Sequence, residues 1–199
     1  MLRQLVIFPF LFLVTHKSCV FNNSKPDNFT FSIDNHLQKT MGISINLYRL
    51  SKAENLDDIK DLENQIANTP DTKVDLYKNT SDLAVIFLNS TDPYSNPNTI
   101  PYKMLFGKHA EKSVSVGEVG GFLASSEIPE ITKWIKTNRI ETFDGFSKIY
   151  DNLSAEVKKE LEEMGSEEKA SLFNGYVRPL VVLYFTALEN QNSVLFIGQ

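Results

Sequence analysis

The sequence changes character at Met41, and this change limits the main folded part of the chain to about one domain. Residues 1–40 hold four basic and two acidic residues, the only cysteine, and an apolar run from Leu5 to Val14. The remainder keeps 20 − 4 = 16 basic and 25 − 2 = 23 acidic residues, a net charge of −7. A segment of this length can bury a sizeable core without disulfides or a structural metal. We therefore predict a leader over residues 1–40 and a single domain over 41–199.

Three interpretations of the leader are open. Arg3 followed by the apolar run is typical of an export signal, and the run is too short to cross a bilayer as a helix. Cys19 could instead be the lipidated cysteine of a bacterial lipoprotein, which would tether the domain to a membrane. Under the third interpretation, translation begins at Met41 and residues 1–40 carry no structure. The third predicts a cytoplasmic protein, whereas the first two predict one that is secreted or in the cell envelope.

The acidic balance of residues 41–199 argues against nucleic acid as a ligand. Phosphate binding requires clustered lysine and arginine side chains, and here the basic residues are scattered among carboxylates. Even the pair Lys158-Lys159 is surrounded by glutamates, as on a solvated helix face. We predict a protein with no nucleic-acid partner, no transmembrane span and no cofactor.

The hydrophobic pattern predicts an α+β fold. Apolar and polar residues alternate with period two after Met41, as on a strand with one buried face. Later segments carry apolar residues three and four positions apart, which is typical of amphipathic helices. We predict a small mixed or antiparallel sheet packed against several such helices. The predicted strands lie near residues 43–49, 121–125 and 193–197.

Four local features sharpen this prediction. A helix is predicted from Asp75 to Leu88, and a long polar loop with three prolines follows from Asn89 to Pro101. Loops of that length are usually functional or mobile. Gly120-Gly121 is predicted to form a tight turn, and Pro179 is predicted to kink a long apolar helix near the carboxyl end.

Several sequence anchors occur in a characteristic order, and they lead to a family resemblance. The anchors are Met41-Gly42-Ile43, Asp75-Leu76-Tyr77-Lys78, Ile86-Phe87-Leu88, Pro101 to Gly107, Gly121-Phe122-Leu123 and Val194-Leu195-Phe196-Ile197. Their order resembles the YfbM-like family of small bacterial proteins, a family of unknown function, over residues 41–199. The resemblance implies one α+β domain, normally cytosolic, and it favours a start at Met41. Thr80 and Ser81 stand where the family typically has a tryptophan and often a histidine.

Few residues have the chemistry to form a site. The domain has one histidine and no cysteine, so we predict no metal site. His109 is the only histidine available as a general base, although a histidine just after a helix-ending glycine is more often a surface residue. Tyr94 and Tyr102 flank the polar loop, and Trp134 has the size to floor a pocket or to fill a core. The candidate catalytic residues are His109, Asp75 and Glu118, and the candidate binding residues are Tyr77, Asp82, Tyr94, Tyr102 and Trp134.

Three functions agree with these features. The favoured one is a non-enzymatic binding or regulatory module, whose acidic surface and polar loop engage a protein partner. The first alternative is a small enzyme or ligand-binding protein. Its pocket would lie near Asp75, Tyr77 and His109, with Glu118 beside them, between the second helix and the sheet. The second alternative is an envelope lipoprotein that displays the same domain from Cys19.

Mass spectrometry of the amino-terminal peptide from the native cells distinguishes the interpretations of the leader. Because the family resemblance begins at Met41, we expect a peptide that starts at Met41 or Gly42. A lipid-modified Cys19, or any peptide from residues 1–40, would contradict this expectation.

Overall fold

In the part of the chain that the structure describes, five strands form one antiparallel sheet and pack with helices, which confirms the predicted α+β class. The computed structural model describes residues 44–68, 73–77, 79–161 and 164–198. The predictions on the leader, Cys19 and Met41 lie outside these residues. The strand order is β2-β1-β5-β4-β3, and every neighbouring pair is antiparallel. The strands are β1 (Ile45–Leu50), β2 (Lys73–Asp75), β3 (Lys108–Val114), β4 (Gly117–Leu123) and β5 (Ser193–Gly198).

Helices account for most of the remaining described residues. Two single-turn 3₁₀ helices, Leu56–Asp58 and Ser125–Glu127, and one π-helical turn, Phe173–Val177, accompany the α-helices. Within the described residues, no helix has both the length and the apolar character needed to cross a bilayer. The α-helices are α1 (Leu62–Ala67), α2 (Asn79–Leu88), α3 (Ile100–Phe106), α4 (Ile128–Thr137), α5 (Phe143–Asp151), α6 (Ala155–Glu160), α7 (Ser166–Leu172) and α8 (Arg178–Asn190).

The centre of the sheet is buried on both faces, and β5 shows this most clearly. Val194 and Phe196 belong to the core beneath α2 to α8, which we call the helix layer. Leu195 and Ile197 point to the opposite face and pack beneath residues 51–68, which we call the cover segment. Successive residues of a strand alternate between faces, so a strand with this many buried apolar residues needs a layer on each side.

The prediction of a half-buried first strand was wrong for the same reason. Ile45 and Leu47 face the helix layer, as the alternating pattern indicated. Tyr48 and Leu50 pack under the cover segment instead of facing solvent, and Asn46 is also buried. The cover segment is not one continuous helix, because Asp61 adopts a left-handed conformation with φ 54° between the 3₁₀ turn and α1.

The helix predicted from Asp75 begins later, at Asn79. Asp75 is instead the last residue of β2, which pairs with β1 so that Val74 lies opposite Leu47. Tyr77 follows with a positive φ of 45°, and this conformation separates the strand from α2. A three-residue strand is too short to give a period-two signal, which is why the sequence pattern missed it.

The sequence pattern also missed β3, and it misplaced Gly120-Gly121. These glycines lie inside β4 and do not form a turn. A Cβ atom on Gly121 would lie 1.9 Å from the carbonyl oxygen of Phe106, so the end of α3 rests directly on the backbone of β4. Gly107 ends α3 as predicted, with φ 72°, and the Phe196 ring leaves no room for a Cβ there either.

Pro179 is accommodated by a change of helix type. The chain from Ser166 to Asn190 passes through the π-helical turn, in which the N–H of Arg178 donates to the carbonyl of Phe173 five residues back. Pro179 then falls in the first turn of α8, where a missing N–H is tolerated. Such wider turns are a recognised way to relieve a helix irregularity.

The contact between α3 and β4 predicts a sharp difference between two neighbouring glycines. We expect Gly121→Ala to lower the free energy of unfolding by at least about 2 kcal/mol, because rigid backbone cannot move away from the new methyl group. Gly120→Ala is the control, since nothing lies within 4 Å of the position that a Cβ atom would take there. We expect that variant to stay within about 1 kcal/mol of the parent in urea denaturation. Equal losses in the two variants would contradict this account.

Candidate functional site

The structure places Asp75 and His109 at opposite edges of the sheet. Asp75 ends the edge strand β2, whereas His109 lies in β3 at the other edge. Four inter-strand steps of about 4.8 Å separate the two strands by roughly 19 Å. Tyr77 stays with Asp75, and Glu118 stays with His109 in the β3–β4 hairpin. The described residues therefore do not bring these four side chains into one pocket.

The carboxylate of Asp75 contacts residues close to it in the chain. One carboxylate oxygen, Oδ1, accepts a hydrogen bond from the backbone N–H of Tyr77 at 2.9 Å. The other, Oδ2, lies 3.7 Å from Nζ of Lys73 in the same strand. The Tyr77 ring is 57% exposed. Asp75 thus stabilises the left-handed turn that leads into α2, and the exposed Tyr77 ring is not part of an enclosed site.

His109 and Glu118 share a hairpin, but their immediate partners differ. His109 is exposed and pairs with Gly121 across the two strands. The Glu118 carboxylate accepts a hydrogen bond from the Ser113 hydroxyl, with oxygen distances of 2.9 and 2.8 Å. Among the described residues, no three histidine, cysteine, aspartate or glutamate side chains converge to hold a metal ion.

Asp82 lies in the first turn of α2 and is half-buried. Burial raises the pKa of its carboxyl group above the ordinary value of 3.8. The predicted helix from Asp75 to Leu88 would have contained both Asp75 and Asp82, whereas Asp75 belongs to β2. A carboxylate that loses solvent is more easily protonated, since burial disfavours the charged form.

Tyr94 and Tyr102 pack around one ring at the end of α3. The Phe106 centroid lies 5.5 Å from that of Tyr94 and 4.8 Å from that of Tyr102. Burial, and to a smaller degree the nearby Tyr94, raises the pKa of the Tyr102 hydroxyl above its ordinary value. The loop occupies residues 89–99 and is held at its start by Asn89, whose Oδ1 accepts from the backbone N–H of Ser154 at 3.0 Å. These contacts attach the loop to the helix layer.

Trp134 takes part in packing at the margin of the core. It is partly buried in α4, and its ring meets the edge of the Phe87 ring with centroids 5.9 Å apart. Phe87 in turn contacts Phe146 at 6.2 Å. This aromatic series favours the core role of Trp134 over the pocket role, because the indole contacts rings of the helix layer.

The acidic side chains of the cover segment form the most coherent polar surface in the described part of the chain. Five exposed carboxylates occur within ten residues, and only two lysines, Lys52 and Lys60, lie in residues 51–68. Their charges sum to 2 − 5 = −3. The sequence alone does not show that this segment covers a sheet. The five residues are Glu54, Asp57, Asp58, Asp61 and Glu63.

Hydrogen bonds fix the cover segment to the 3₁₀ turn at Ser125 and to the turn between β3 and β4. The backbone N–H of Ala53 donates to Oγ of Ser125 at 3.0 Å, and that hydroxyl donates to the Ala53 carbonyl at 3.1 Å. At the other end, Glu63 accepts from the backbone N–H of Ser115 at 2.9 Å. The five carboxylates of the cover segment therefore lie on a backbone that is held in place.

Comparison with known proteins leaves the family open. No protein-family model matches the chain, and no curated protein matches it. A solved structure with a similar arrangement is that of YfbM from Escherichia coli, described as a protein of unknown function. The two chains are 18% identical with a TM-score of 0.47, and the alignment covers 78% of this chain and 99% of that chain. The similarity supplies neither a reaction nor a ligand.

The raised pKa of Asp82 predicts a pH-dependent stability difference. Folding favours the protonated carboxyl group of Asp82. Below pH 3.8 the group is protonated in both states and does not change the free energy of unfolding. As the pH rises through the raised folded-state pKa, ionisation of the buried group lowers the free energy of unfolding. Asp82→Asn removes that ionisation. We expect the variant to gain stability relative to the parent between pH 3 and pH 7, measured by urea denaturation across this range.

Asp144→Asn serves as the control, since Asp144 is an exposed acidic residue in the first turn of α5. It reproduces the loss of a negative charge near a helix amino terminus without the burial. A stability difference for Asp82→Asn that does not change with pH would contradict the prediction.

Proposed function

We propose that this domain is a non-enzymatic binding or regulatory module that engages a basic protein partner through the cover segment. The observation that carries the proposal is the group of five exposed carboxylates on residues 54–63. Surfaces with an excess of one charge attract oppositely charged partners and disfavour partners of like charge. The net charge of −7 over residues 41–199 also attracts a basic partner.

The burial of the cover segment supports a preformed surface. Ile59, Leu62 and Ile66 are buried against the sheet, so the opposite side of the segment must face solvent. The hydrogen bonds to Ser125 and Ser115 hold both ends. A surface that is already ordered loses less conformational entropy when a partner binds.

Asp57 is the carboxylate in this group best suited to direct contact. Its side chain is 96% exposed, and Lys112 approaches it only to 3.7 Å. An exposed ion pair of this kind contributes little to stability, so a cationic side chain of a partner can replace it at small cost. Asp58 has a local role instead, because it accepts from the backbone N–H of Asn55 at 3.1 Å.

The polar loop is a less suitable part of the same interface. Residues 89–99 are attached to the helix layer through Phe106 and Ser154, whereas the cover segment lies on the opposite face of the sheet. The sequence alone favours both in one interface. Because the sheet lies between them, the proposal assigns the partner to the cover segment alone.

Neutralising two carboxylates of the cover segment tests the proposal. The domain would be used at low salt to capture its partner from the native cells, and the affinity of the purified pair would then be measured. We expect the double variant Glu54→Gln/Asp57→Asn to bind about tenfold more weakly, or ~1.4 kcal/mol, chiefly through slower association. Added salt should weaken the parent complex more than the variant complex.

A matched control separates this surface from total charge. Glu130→Gln/Glu189→Gln also removes two exposed carboxylates, but these lie on α4 and α8 of the helix layer. We expect this variant to retain the parent affinity. Failure to recover any stoichiometric partner, or equal losses in both double variants, would contradict the proposal.

A further inference from the structure

The side-chain amide of Asn46 is buried without a hydrogen-bond partner from the protein. Asn46 is 0% exposed, and neither Oδ1 nor Nδ2 has a partner within the described structure. Nearly all buried polar groups in native proteins are hydrogen-bonded, either to protein atoms or to ordered water. Leaving a buried amide unbonded costs free energy, and a bound molecule that pairs with its N–H group would recover part of it.

Strand pairing identifies the neighbours of this amide. Asn46 lies directly opposite Ile197 of β5 on one side and directly opposite Asp75 of β2 on the other. Opposed residues of antiparallel strands share a face, with Cβ atoms about 4.5–5.5 Å apart. Ile197 offers no polar atom, so the Asp75 carboxylate is the polar side chain that strand pairing places beside Asn46.

The Asp75 carboxylate can accept at least one more hydrogen bond. Oδ1 accepts one bond from the Tyr77 N–H, and Lys73 lies 3.7 Å from Oδ2. An ionised carboxylate has about four acceptor positions, so at least one remains for a further donor. The Asp75 side chain is 22% exposed, so its carboxylate is in contact with solvent.

We propose that Asn46 and Asp75 form a buried hydration site, in which water accepts from Nδ2 of Asn46 and donates to the Asp75 carboxylate. A ligand that accepts from the amide N–H of Asn46 and donates to the carboxylate of Asp75 fits this pair of side chains. An anion would be repelled by Asp75, and a hard cation would find too few oxygen ligands. Water meets the requirement and is the usual partner of buried polar groups that have no protein partner.

This site would connect three parts of the fold. Water would join the edge strand β2 to β1, and Asp75 already holds the Tyr77 turn that leads into α2. The short strand β2 has only three residues in the ladder, so an additional bonded link contributes to holding this edge of the sheet.

NMR spectroscopy of the domain in solution tests the site. We expect cross-relaxation between water and the side-chain NH₂ protons of Asn46, with the sign of a water held for longer than about a nanosecond. The NH₂ group of Asn138 is the control, because its Nδ2 donates to the Trp134 carbonyl at 2.9 Å. We expect no such long-lived water signal there.

A high-resolution crystal structure gives the second measurement. It should show water within hydrogen-bonding distance of both Asn46 and Asp75, and Asp75→Ala should weaken the water signal of Asn46. A protein group bonded to the Asn46 amide, or an amide with no adjacent water, would overturn the proposal. Both measurements can be made on the parent protein, so they do not depend on whether a variant folds.

Discussion

The structure depends on the central strand β5, which is buried on both faces. It pairs with β1 on one side and with β4 on the other, and so joins the first strand of the described chain to the β3–β4 hairpin. Its alternating side chains require an apolar layer above and another below the sheet. The helix layer supplies the first and the cover segment supplies the second. The acidic surface follows from this requirement, because a thin covering segment has one apolar side and one solvent-exposed side.

Local sequence signals predicted many of the elements. Ser154 caps α6 through the N–H of Val157 at 3.2 Å, and Gly107 ends α3, as residue preferences indicate. The first and last strands were also predicted near their observed positions. The short strand β2 was not predicted, because three residues are too few to show a period-two alternation of apolar and polar side chains. The burial of Asn46 was not predicted because the alternating pattern cannot show that the segment after the strand folds back over its second face.

The arrangement of candidate site residues could not be predicted in the same way. Side-chain chemistry identified Asp75 and His109 as candidates, but strand order decides whether they meet, and strand order is not a local property of sequence. The order β2-β1-β5-β4-β3 places them at opposite edges. Close backbone contact has the same non-local origin, since Gly121 is needed only because α3 ends against it. The YfbM-like family assignment stays a prediction.

Hydrogen–deuterium exchange of the domain, with and without its captured partner, tests the central claim most directly. The cover segment is held by apolar burial and by hydrogen bonds at both ends, so a partner that binds its outer side should slow exchange there further. We predict added protection in residues 51–68 and none in the loop at 89–99. Protection confined to that loop, or to other parts of the helix layer, would contradict the claim.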